Sequence, residues 1–104
     1  MTVGRLGVSN PAANTSTLVY TVPSNSMATL NISAVNMGMQ DSSLSVYITD
    51  NTSLTLDRLI ESSVVIPANG GVLERQGVSL SPSESVYIIA TSNNISVRIN
   101  GFED

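Results

Sequence analysis

The chain has 104 residues, 41% of them apolar and 12% charged, and a net charge of −4. It contains no Cys, His, Trp or Lys, which excludes disulfides, thiolate metal sites and Schiff-base chemistry and removes the commonest general base. Four isolated arginines, Arg5, Arg58, Arg75 and Arg98, form no basic patch for nucleic acid, and no apolar run nears the roughly 20 residues of a membrane helix.

Residues 1–16, "MTVGRLGVSNPAANTS", have no signal-peptide stretch. They are expected as an N-terminal arm or as an edge strand over Thr2–Val8, with Arg5 available to a carboxylate. Residues 17–104 are expected to form one β-sandwich domain. A period of two runs through nearly all of it. Leu18, Tyr20 and Val22 share one face of a first strand. Ala28, Leu30, Ile32 and Ala34 share the inner face of the next, with Thr29, Asn31 and Ser33 outward. Leu44, Val46 and Ile48 alternate with Ser45, Tyr47 and Thr49. "SLTLDRLIE" offers Ser53 as a helix N-cap, but the β-branched residues that follow favour a loop. Ile60, Ser62, Val64 and Ile66 then form a set ending at Pro67. "GVLERQGVSL" is a strand with Gly77 marking a bulge. "SVYIIAT" is apolar on both faces and therefore central. "NISVRING" turns Ile95, Val97 and Ile99 inward.

The separators "VPSNSM", "IPANGGV" and "LSPSESV" each set a proline just after an apolar run, where it pre-sets a turn and cannot donate to a ladder. Seven or eight short strands with turn signals about every ten residues predict an all-β fold: a single antiparallel β-sandwich, jelly-roll or immunoglobulin-like, with a closed barrel as the alternative.

No catalytic, cofactor-binding or metal-binding residues are assigned. Serine is abundant, but no His or Lys can activate it. Asp50, Asn51 and Asp57 lie in one connection, a thin pattern for calcium that reads better as a solvated loop. Met27, Met37 and Met39 share the odd-numbered parity of Val35 and Thr29. They are expected either to fill space under a loop or to form a contact face. With Arg5, these residues are the candidate interface. A surface this poor in charge and lacking lysine suits a protein covered by neighbours, because interface cores are depleted in both, so a homo-oligomer is expected.

"STLVYTVPSNSMATLNISAVN", "IPANGGVLERQGVSLSPSESVYIIA" and the ending "ISVRINGFED" together resemble small virion structural proteins of tailed bacteriophages of the marine and cyanobacterial type. The resemblance runs from about Thr17 to Asp104. It departs at "VNMGMQD", where a more basic corner is expected. It implies a non-enzymatic β-sandwich component of the virion, made in the bacterial host cytoplasm. The first expectation is a capsid decoration or cement protein bound to itself and to the major capsid protein. The alternative is a tail-fibre, baseplate or neck module, including a host-binding adhesin. Neither nucleic acid nor membrane is an expected partner.

Overall fold

Proline corners and polar turns divide the chain into eight strands in the computed structural model, which describes residues 2–51 and 54–104. They are β1 (Thr2–Ser9), β2 (Thr17–Thr21), β3 (Ala28–Asn36), β4 (Ser42–Thr49), β5 (Leu59–Ile66), β6 (Gly71–Leu80), β7 (Ser85–Ala90) and β8 (Ile95–Glu103). The connections are too short for helical crossovers, and every pair is antiparallel. One sheet has the order β1-β8-β3-β6 and the other β2-β7-β4-β5.

That order has a simple origin. β1 pairs with β8, β2 with β7, β3 with β6 and β4 with β5, so the chain is one long hairpin with its tip between β4 and β5. Rolling the hairpin up brings β3 onto β8 and β4 onto β7, which completes two four-stranded sheets. This is jelly-roll wrapping, and the strand order departs from the immunoglobulin arrangement. Residues 2–9, readable as an arm or an edge strand, are the sheet edge beside β8.

The core between the sheets is aliphatic. Leu30, Ile32, Leu44, Ile66, Leu80, Ile88, Ile95 and Ile99 are fully buried, with Val22, Val46, Val86 and Val97 between them. Each contributes about 1.5–3 kcal/mol relative to exposure. Tyr20 is the one aromatic residue in this cluster. Its hydroxyl donates to Glu103 Oε1 at 2.5 Å, tying β2 in one sheet to the end of β8 in the other.

Bulges account for the residues that simple alternation misplaces on β2 and β5. On β2 the register slips between Leu18 and Tyr20, so Tyr20 opposes buried Val86 while Leu18 opposes Tyr87. Leu18, expected to share a face with Tyr20 and Val22, is therefore 51% exposed while those two are buried, and Val19 packs against the core instead. On β5 the register shifts twice, and Ser63 takes the left-handed backbone at φ 47° while donating its N–H to Ser45 Oγ at 2.9 Å. As a result Ile60 packs on the core while Ser62, two residues on, is exposed. Thr49, expected outward, is fully buried. The segment before β5 contains a single 3-10 turn, Leu56–Arg58, rather than plain loop; Ser53, the expected N-cap, lies outside the described residues.

Gly77 is a bulge residue as expected. Gln76 and Gly77 together oppose Asn31, Gly77 sits at φ 68°, and its N–H donates to Asn31 Oδ1 at 3.1 Å. Gly7 serves a different need: a Cβ there would lie 2.6 Å from the Val19 carbonyl, so only glycine lets β1 lie this close to β2.

Burial, reinforced by the bond to Glu103, raises the Tyr20 pKa far above its ordinary value of 10. Above pH 10 the unfolded chain therefore loses the tyrosine proton while the folded chain keeps it. The stability that Tyr20 gives is complete below about pH 10 and declines as pH rises further, by up to about 1.4 kcal/mol per pH unit. Tyr20→Phe is expected to cost about 1–3 kcal/mol at pH 7 and to flatten that alkaline decline. Urea unfolding of both proteins followed from pH 7 to 11.5 checks both, the difference between wild type and variant isolating Tyr20 from the two other tyrosines.

Candidate contact surface

The outward side of the β1-β8-β3-β6 sheet collects most of the candidate interface residues. Directly opposed residues of antiparallel strands share a face. Val3, Phe102, Thr29 and Ser79 form one row across the sheet, and Arg5, Asn100 and Asn31 form the next. Val8, Arg98, Ser33 and Glu74 form a further row, and Val35 sits between Ser96 and Val72. Arg5, Thr29 and Val35 thus lie on one face. Met27 adjoins it just before β3, where its carbonyl accepts the Asp104 N–H at 2.9 Å. Val3, Met27 and Phe102 are 74%, 62% and 45% exposed, an apolar group at one end of the sheet.

Met37 and Met39 lie at the opposite end, beyond the last residue of β3, so the three methionines do not form one surface. They do not fill space under the loop either, being 72% and 88% exposed. They stand on the rim of an open cleft of about 520 Å3, which Gln40, Asp41, Ser92 and Asn94 also line.

What holds that rim is Asn36, fully buried at the end of β3. Its amide nitrogen donates to the carbonyls of Gln40 and Ile66, both at 2.9 Å, and its Oδ1 accepts the Gly38 N–H at 2.9 Å. Around it the Met37 N–H donates to the Asn94 carbonyl at 2.9 Å and the Asp41 carboxylate accepts from the Ala68 N–H at 2.9 Å. The methionines are therefore displayed on a firmly bonded loop. Asn36 had a readable signal: it continues the inward even-numbered parity of Ala28 to Ala34, so a polar side chain there requires buried partners.

The connection that suggested calcium uses its carboxylates internally. Arg58 Nη1 lies 3.1 Å from Asp50 Oδ1, and Arg58 Nε lies 3.7 Å from Asp57 Oδ2. The Thr55 hydroxyl also donates to Asp57, and this bond foremost holds that carboxyl below the usual range. Among the described residues, no group of three or more carboxylates gathers as metal ligands.

The other sheet presents a different exterior. Its four strands contain one charged residue, Glu61, which opposes buried Val46 and reaches Arg75 Nη1 of β6 at 3.0 Å. Its outward side carries Leu18, Tyr87, Tyr47 and Leu59 in one row across all four strands. Sequence reasoning missed this row, because the bulges that turn Leu18 outward and bring Leu59 opposite Tyr47 leave no mark in the alternation. No protein-family model matches the chain, and no curated protein or solved structure does.

Asn36→Ala is expected to strand the Ile66 and Gln40 carbonyls and the Gly38 N–H, costing about 2–4 kcal/mol. Hydrogen exchange should show the amides of residues 37–41 losing protection while those of β7 and β8 keep theirs. Equal loss throughout would show that Asn36 does not act locally on the loop.

Proposed function

We propose that this chain is a non-enzymatic structural protein of a bacteriophage virion, and that it decorates and cements the capsid by binding repeated subunits and further copies of itself. The observation that carries this reading is the outward face of the β1-β8-β3-β6 sheet. Exposed Val3, Met27 and Phe102 stand at one end of it, with Arg5 in the next row and Arg98, whose Nε donates to Asn100 Oδ1, further along β8; neither arginine is in an ion pair among the described residues. Apolar side chains with arginine at hand are what an interface core uses, and lysine, depleted in such cores, does not occur in the chain. The resemblance of the strand-and-corner segments to small phage virion proteins supports the same reading. Jelly rolls build viral shells, though also lectins and cupins, so the fold alone does not decide function. A decoration protein acts by mass action: contacts made only on the assembled shell stabilise that shell, and many weak sites on one particle add through avidity.

Quantitative mass spectrometry of purified particles tests the role. A decoration protein is present at roughly the copy number of the capsid subunit. A small multiple of three or six would move the chain to the tail or neck, and absence from particles would end the virion reading. Thr29→Arg places a charge in the centre of the proposed contact face. It is expected to leave the thermal midpoint of the isolated protein within a few degrees and to weaken binding to decoration-free particles by more than about tenfold. Undiminished binding would remove this face from the contact.

A further inference from the structure

We infer that the outward face of the β2-β7-β4-β5 sheet pairs two copies of this chain about a two-fold axis. The inference specifies the self-association in the reading above. It stands on different residues from the particle-binding face, and its test uses the isolated protein, so either reading can fail alone.

The pairing register places Leu18 opposite Tyr87, Tyr87 opposite Tyr47, and Tyr47 opposite Leu59. Read across the sheet, the row is Leu–Tyr–Tyr–Leu, and it is the same from either edge. Two such sheets packed face to face, about an axis parallel to the strands and midway between β7 and β4, set β7 against the partner's β4 and β2 against the partner's β5. Tyr87 of one copy then meets Tyr47 of the other, and Leu18 meets Leu59. A two-fold interface requires this property: residue i meets j, and j meets i. Aligned packing of twisted sheets supplies the geometry. Tyrosine is enriched at interfaces, where its ring is buried and its hydroxyl finds a partner. Ile89 and Ser45 oppose each other beside the row and extend the uncharged surface.

Charge argues for the same occupant. Each copy carries −4, so two copies repel unless the contact keeps carboxylates at a distance. Within its strands this face does so, because their one charged residue, Glu61, is engaged with Arg75 of the other sheet; the nearest carboxylates beyond the row, Asp50 and Asp57, both lie against Arg58. A sugar is a poorer fit, since the row offers no carboxylate, amide or guanidinium to fix ring hydroxyls.

The size of the face sets the strength. Four strands about 4.8 Å apart and some six residues long give a footprint of about 400 Å2 per copy. That is roughly half of what each partner contributes to a standard interface, so the dimer is weak, with a dissociation constant of roughly 10–500 μM.

Sedimentation equilibrium from 10 μM to 1 mM is expected to show a monomer–dimer equilibrium in that range. Leu18→Arg and Leu59→Glu are each expected to weaken it more than about tenfold. The double variant, Leu18→Arg with Leu59→Glu, is expected to recover dimerisation, because the two-fold axis sets each new cation against the partner's new anion. A wild-type monomer throughout, or a dimer indifferent to the single variants, or no recovery in a folded double variant, overturns the proposal. If a variant misfolds, proton NMR of the wild type decides. The chain has three tyrosines and one phenylalanine, and the Tyr47 and Tyr87 ring signals should shift with concentration while Phe102, on the opposite face, stays fixed. Shifts of Phe102 alone, or shifts of Tyr47 and Tyr87 on adding a host-surface polysaccharide but none on concentrating the protein, overturn it.

Discussion

Pairing between residues far apart in the chain is the constraint on which the other features rest. Thr2 opposes Glu103, Thr17 opposes Ile88 and Ala28 opposes Leu80, so the first strands have no partner until the last ones arrive. Loop closure must precede the contacts that reward it, which puts this topology among slow-folding β proteins. Once the long hairpin is rolled, each strand has one inward face, and a period of two places an aliphatic residue at nearly every inward position. The Tyr20–Glu103 bond closes the same arrangement late in the chain, joining β2 to the end of the last strand across the sandwich.

The absence of large rings shapes how that core is stabilised. Branched aliphatic side chains interdigitate between the two sheets at high density, and Tyr20 is the one aromatic residue among them. Glycine and bulges then do the fitting. Gly7 lets β1 approach β2, and the Gln76–Gly77 bulge bends β6. The ends of the sandwich are fastened by polar groups. Asn36 bonds the 37–41 loop to β5, and at the edge where β5 lies against β6, Arg75 reaches Glu61.

The legibility of the fold in the sequence followed these devices. On β3 and β8 the alternation of Ala28, Leu30, Ile32 and Ala34, and of Ile95, Val97 and Ile99, is uninterrupted, and inward positions were readable directly. The bulge at Gly77 was readable because glycine marks it. The slips near Val19, Ile60 and Ser63 carry no such mark: valine, isoleucine and serine are ordinary strand residues, and only the partner strand reveals the extra one. Those unmarked bulges turn Leu18 outward and set Leu59 beside Tyr47, so the uncharged face was legible only in part. Turn chemistry located the strands and predicted antiparallel neighbours. The wrapping order, which separates a jelly roll from an immunoglobulin fold, depends on which distant strands meet, and no local pattern encodes that.

The charges are divided between the two faces in a way that bears on what each can meet. Most carboxylates are engaged by groups of the chain itself: Glu61 by Arg75, Asp50 and Asp57 by Arg58, Glu103 by Tyr20, Asp41 by the Ala68 N–H and Glu84 by the Ser81 N–H. Arg5 and Arg98 stay out of ion pairs among the described residues although the chain is acidic overall. Under the proposed capsid contact, an acidic surface is the complement these two guanidiniums would engage. The opposite sheet, with no charge facing out from its strands, suits a like surface that would otherwise be repelled. A module with one face for an unlike partner and one for its own kind can bind a surface and link to its neighbours at once. Each contact can then be weak, because occupying one raises the effective concentration at the other.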